Sequence, residues 1–167
     1  MFKYIKGDST NPIQVPALII HVCNNQGGWG AGFVLALSKK WSEPEKAYRD
    51  WYNGKFVVPQ IIDSHQFELG STQFVPILNE NIWIANMIAQ DKYRKYRKSE
   101  HESNHVYLNY DALNKTLTRS YKFAYENNLT IHMPKIGCGF AGGDWNIIEK
   151  MIKPLSEKVN TTVYLLE

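Results

Sequence analysis

With 167 residues, 44% of them hydrophobic, the chain has enough apolar material to fill one core without a disulfide or metal staple. Its 19 basic and 16 acidic residues leave a net charge of +3, too small to mark a nucleic-acid binder by composition, so partners must be argued from sites. The 2 cysteines, Cys23 and Cys138, are far apart and in no paired motif, which argues against a secreted disulfide scaffold or a zinc knuckle and fits a reducing cytoplasm.

Short β-rich runs alternate with helical patterns, the arrangement of a layered α/β sheet with ligand sites at the strand ends. Phe2 to Lys6 and Ala17 to Val22 read as the first two strands. No Asp, Glu, Lys or Arg occurs from Ser9 to Ser38, but Asn24, Asn25, Gln26 and four glycines interrupt any apolar run, so neither a membrane span nor a signal peptide is expected. Val34, Leu35 and Leu37, with Lys39 and Lys40 at the end, predict a helix over Ala31 to Trp41, and Pro44 to Trp51 a second.

Gln73 to Leu78 and Ile82 to Ile88 read as adjacent strands joined by the turn Asn79-Glu80-Asn81, with Pro76 pushing the first towards an edge. Lys92 to Lys98 (KYRKYRK) is a dense basic patch, expected as a solvated loop, with nucleic-acid contact through its interleaved tyrosines not favoured. His101 and His105 have the spacing of helical metal ligands but no third ligand accompanies them, so no metal site is expected. Leu113, Leu117, Tyr121 and Ala124 predict a long amphipathic helix over Asn109 to Glu126. Thr130 to Met133 is a buried strand, Trp145 to Leu155 a last helix that Pro154 kinks or ends, and Thr162 to Leu166 the closing strand. One domain over residues 1–167, monomeric, is the expected organisation.

Two glycine-rich segments each follow a strand and lead into a helix: Gln26-Gly27-Gly28-Trp29-Gly30-Ala31-Gly32 and Gly137-Cys138-Gly139-Phe140-Ala141-Gly142-Gly143. Backbone N–H groups at such helix starts make anion sites, and two facing loops suit a nucleotide diphosphate. The first lacks both the GxGxxG spacing and the P-loop lysine, which leaves an ordinary dinucleotide site or an NTPase unsupported.

Lys6-Gly7-Asp8, His21-Val22-Cys23-Asn24-Asn25 leading into Trp29-Gly30-Ala31-Gly32, and Met133-Pro134-Lys135-Ile136-Gly137-Cys138-Gly139 together resemble the three signature segments of macrodomains, across essentially the whole chain. The first half is most similar to the fungal ADP-ribose 1''-phosphate phosphatases, the third segment to the terminal ADP-ribose protein glycohydrolases. The resemblance implies a three-layer α/β/α fold with a central mixed sheet and ADP-ribose across the strand C-termini. It places Asp8, with Ser9, at the adenine, Asn24 beside the distal ribose, the backbones of Gly28, Trp29, Gly30, Ala31, Gly32 and Phe33 and of Gly137, Cys138, Gly139, Phe140, Ala141 and Gly142 around the diphosphate, and Phe140 against the distal ribose. Tyr164 to Leu166 would wall the adenine. The lysine and aspartate of the glycohydrolases fall at Gln90 and Ala141, which can form no lysyl adduct and carry no charge.

The implied activity is hydrolysis of the terminal phosphate of ADP-ribose 1''-phosphate, with His21, Asn24 and Asn25 as the catalytic set. It needs no cofactor and survives chelation. Alternatives are a non-catalytic ADP-ribose reader, a de-ADP-ribosylating hydrolase, and an RNA-associated module. His21 would assist proton transfer near neutral pH, or else be a buried structural histidine. Asp144 caps the helix that follows the second loop, and Cys23 and Cys138 are packing residues.

Overall fold

The computed structural model describes residues 1–62, 66–93 and 105–166. In chain order the elements are β1 (Phe2–Lys6), β2 (Ala17–Asn24), α1 (Phe33–Lys40), α2 (Glu43–Tyr52), β3 (Ile61–Ile62), β4 (Thr72–Ile77), β5 (Ile82–Gln90), α3 (Tyr110–Glu126), β6 (Thr130–Met133), α4 (Trp145–Leu155) and β7 (Thr161–Leu165). The strands form one mixed sheet in the order β1-β7-β6-β2-β5-β4-β3. The first five of that order run parallel, and β4 and β3 close the other end antiparallel.

The alternation of side chains along the central strands sorts the core into two halves. Ala17, Ile19 and Cys23 of β2 pack with Leu37 of α1 and Tyr48 and Trp51 of α2. Leu18 and Ile20 face the other way, onto Leu113 and Leu117 of α3 and Ile148 and Ile152 of α4. In β5, Ile82, Ile84 and Ile88 join the first half and Ala85, Met87 and Ala89 the second, giving three layers, α/β/α. Parallel strands buried on both faces explain why β2 and β5 read as near-continuous apolar runs.

Several element bounds shift by a residue or two from the sequence expectation, and one strand was not expected. The first helix starts at Phe33, not Ala31, because Gly32 takes φ +81, a left-handed backbone that ends the loop before the helix can begin. β2 continues past Val22 to Asn24, carrying Asn24 to the strand end. The two-residue β3 has too short an apolar run to signal itself. It pairs with Gln73 and Phe74, so Pro76 lies in the part of β4 that β3 leaves uncovered, consistent with the edge assigned to it. Asn109 caps α3, its side chain accepting from the Ala112 N–H at 2.8 Å, and Pro154 is the penultimate residue of α4. Among the described residues no helix is long and apolar enough to cross a membrane.

Candidate functional site

Two adjoining cavities open where β2, β5 and β6 end. The larger, about 800 Å³, is lined by Asn24, Gly27, Gly28, Trp29, Arg49 and Tyr93 among others. The smaller, about 260 Å³, lies between His21, Gly32 and Phe33 on one side and Ile136, Gly137, Gly139 and Ala141 on the other. Val22, Ala31, Val34, Gln90 and Phe140 line both, so the two are halves of one cleft between the glycine loops. Phe140, 55% exposed, reaches across it: a Cβ on Gly32 would stand 3.5 Å from its ring.

The first loop is folded around one amide. Asn24 Oδ1 accepts from the N–H groups of Gln26 (2.9 Å) and Gly28 (3.0 Å), while its Nδ2 donates to the Gly28 carbonyl at 2.8 Å. The Tyr48 hydroxyl of α2 meets the same residue, 2.7 Å from the Asn24 carbonyl. Beyond Gly28 the loop turns into α1, and the N–H groups of Trp29, Gly30, Ala31, Gly32 and Phe33 have no protein acceptor among the described residues. Unpaired donors leading into a helix N-terminus attract an anion. The second loop is tied by Gly143 N–H to the Gly137 carbonyl at 2.8 Å, and by the Ala141 carbonyl, which accepts from both Tyr107 and Leu108. A Cβ at Gly143 would fall 2.6 Å from the Gly137 oxygen, so no other residue fits there. Asp144 then caps α4, accepting from the Asn146 N–H at 2.9 Å.

Beneath the cleft runs a buried row of polar side chains. His21 Nε2 lies 2.6 Å from Asn86 Oδ1. Asn86 Nδ2 donates to the Pro44 carbonyl and to Gln73 Oε1 (2.9 Å), and Gln73 Nε2 donates to the Ala47 carbonyl and to Gln60 Oε1. Those donations fix the Asn86 amide with its oxygen towards His21, so His21 carries its proton on Nε2.

That geometry bears on the role expected of His21, which lines the smaller cavity. Its ring is buried, edge-on to Trp29 and tilted against Phe33, and burial holds its pKa down to about 4 against the pull of Asn86. Burial therefore favours its neutral form between pH 5.5 and 7.5, and the ring packs against Trp29 and Phe33. Cys23 Sγ lies 3.7 Å from His21 Nε2, but burial pushes the thiol pKa well up, so the pair is not an ionised nucleophile. Cys138 is likewise raised by burial.

The remaining predicted residues divide. Asn24, Gly28, Trp29, Gly30, Ala31, Gly32, Phe33, Gly137, Gly139, Phe140 and Ala141 line the cleft. Asn25 is not in that lining: its Nδ2 donates to Asp91 Oδ1 at 3.0 Å and its Oδ1 accepts from the Lys92 N–H, clamping the end of β5. Cys138 and Gly142 are not in the lining, and neither are Asp8 and Ser9. Asp8 Oδ1 is taken by the Thr10 N–H and hydroxyl, and Ser9 is buried with its hydroxyl unpaired. Tyr164 is buried beneath the loop after β1, accepting from Ile13 N–H and bonded to His132, and is not in the lining of either cavity. In the basic patch Lys92 and Tyr93 are described; residues 94–98, with His101, lie outside the described residues. Arg49, Tyr93 and Lys135 line the cleft without having been anticipated. Arg49 and Tyr93 carry no local signal, since the first reads as an ordinary basic residue in the last turn of a helix and the second lies in a charged run.

No family model matches the chain. A solved macrodomain protein from Streptomyces coelicolor superposes with a TM-score of 0.76 and is 35% identical, with 99% of each chain covered. The chain belongs to the macrodomain family. A structure of a protein of unknown function from Bacteroides thetaiotaomicron is similar to this macrodomain at 41% identity and a TM-score of 0.82, over 98% of this chain and 97% of that one. Among curated proteins the macrodomain is 22% identical to the ADP-ribose 1''-phosphate phosphatase of Saccharomyces cerevisiae (strain YJM789), covering 98% of this chain and 97% of that protein. It is 26% identical to the chromodomain-helicase-DNA-binding protein 1-like of Danio rerio over 90% of its own length, but spans 14% of that protein.

Proposed function

We propose that this macrodomain binds ADP-ribose in the cleft and hydrolyses the terminal phosphate of ADP-ribose 1''-phosphate. The observation that carries the reading is the run of N–H groups from Trp29 to Phe33, without a protein acceptor among the described residues, in a loop that lines the cleft opposite the second glycine loop, a donor set suited to a diphosphate. The phosphatase name of the full-length fungal relative supports the same substrate class. In the reaction, water adds to phosphorus and the bond to the ribose oxygen breaks, giving ADP-ribose and inorganic phosphate. This chain's part is to position the ester and to hold its developing charge with backbone donors and the Asn24 loop, without a histidine base. Calorimetry with ADP-ribose and a phosphate-release assay test it: micromolar binding with phosphate produced is expected.

A second reading, a reader that binds ADP-ribose without turnover, is favoured by one feature. The ionisable side chains lining the cleft, among the described residues, include no carboxylate and no histidine that titrates near neutral pH. Binding with no phosphate released over hours would install that reading instead.

The de-ADP-ribosylating alternative meets two obstacles. Gln90 donates to the Lys92 carbonyl at 3.0 Å, and Ala141 is buried with its carbonyl doubly used. Glutamate-linked mono-ADP-ribose on a modified protein is therefore expected to stay in place, as followed by loss of label; efficient release would change the reaction assigned.

A further inference from the structure

We propose that Arg49 is the residue that recognises an anionic group carried on the distal ribose, the terminal phosphate of the substrate; the inference rests on the ADP-ribose reading above. Arg49 lines the larger half of the cleft together with Asn24, the residue the family resemblance sets beside that ribose. Among the described residues it is the one ionic side chain in that half, and no carboxylate lines it. The cavity wall itself carries no carboxylate, so the edge of the guanidinium that Glu45 does not take favours a negatively charged ligand.

The guanidinium is held, not loose. Its Nε donates to Glu45 Oε2 at 2.9 Å, one turn earlier on α2, and its Nη1 to the Gly27 carbonyl of the first loop at 3.1 Å. Glu45 is itself fixed by the Ser38 hydroxyl, which accepts from the Trp29 indole N–H at 2.8 Å. One network thus ties Arg49 to Gly27 and Trp29 of the first loop and to Ser38 of α1. Nη2 and the second N–H of Nη1 have no acceptor among the described residues, which leaves one edge of the fork for two phosphate oxygens. The side chain is 48% exposed, so the attraction is expected to weaken with salt.

The test compares ADP-ribose with ADP-ribose 1''-phosphate on the wild type, Arg49→Gln and Arg49→Lys, read as KM where phosphate is released and as Kd where it is not. The wild type is expected to prefer the phosphorylated ligand. Arg49→Gln should cut that preference roughly tenfold or more, and Arg49→Lys, which keeps the charge and loses the fork, should restore part of it. Thermal melts identify a variant that fails to fold, in which case loss of the wild-type preference on raising salt from 50 to about 500 mM decides. A preference that is unchanged in Arg49→Gln, or insensitive to salt, overturns the role of Arg49. A wild type that binds neither ligand overturns the ADP-ribose reading instead.

Discussion

Acidifying from pH 7 to 4.5 is expected to cost this fold on the order of 4 kcal/mol through two histidines. His21 and His132 are both buried and both held from 6.5 down to about 4, His21 by burial against Asn86, His132 by burial and the Lys3 charge. In the unfolded chain each takes up a proton near its ordinary pKa, and in the native protein not until about 4. Between those values the unfolded state binds more protons, so stability is whole above about pH 6.5 and falls as pH drops towards 4, by roughly 2 kcal/mol per histidine at pH 4.5. His132 bonds Tyr164 at Nδ1 and Thr130 at Nε2, so protonation also forces one of two hydroxyls to turn. Denaturant unfolding at several pH values checks this against His21→Gln and His132→Gln: each variant should lose about 2 kcal/mol less on acidification than the wild type. Equal losses would show that the histidines titrate normally.

The second large effect is expected at Asn24. Replacing it with alanine removes the acceptor of two N–H groups and the donor to Gly28, and leaves the Tyr48 hydroxyl with the carbonyl alone. Freed of that scaffold, the first loop would have to be ordered by the ligand, and losing several hydrogen bonds at about 1 kcal/mol each weakens ADP-ribose binding by roughly 10²-fold. Asn24→Asp keeps the acceptor but loses the donor and sets a negative charge beside the phosphates, so it should not rescue. Calorimetry settles the point, and an Asn24→Ala protein that binds within threefold of the wild type would remove this residue from the organisation of the cleft.

The sequence made the sheet legible through periodicity. β2 and β5 are apolar on both faces, and α3 shows its spacing over 17 residues with a capping Asn109, so few other local structures fit. The glycine loops were legible because anion-binding backbone needs glycine at given places. What could not be read is which side chains converge. His21 looked available at a strand end, and its burial comes from Trp29 and Phe33 folding back over it, a tertiary event with no local mark. Asn25 and Asn24 are alike in sequence, but β2 ends between them, and one lies in the cleft lining while the other bonds Asp91. Arg49 gains its place from the packing of α2 against the sheet, which its helical neighbours do not encode.

The row of amides beneath the cleft also orders events in time. His21 reaches its partner across 65 residues of chain, and Asn86 and Gln73 complete the row through α2 and β4. The floor under Trp29 therefore cannot set until strands and a helix from distant parts of the sequence have docked, and such non-local closures come late in refolding. Competence to hold a ligand is expected to return after the bulk of secondary structure, so a fluorescent nucleotide followed during refolding would trail the far-ultraviolet signal. Recognition then serves as a read-out of finished assembly.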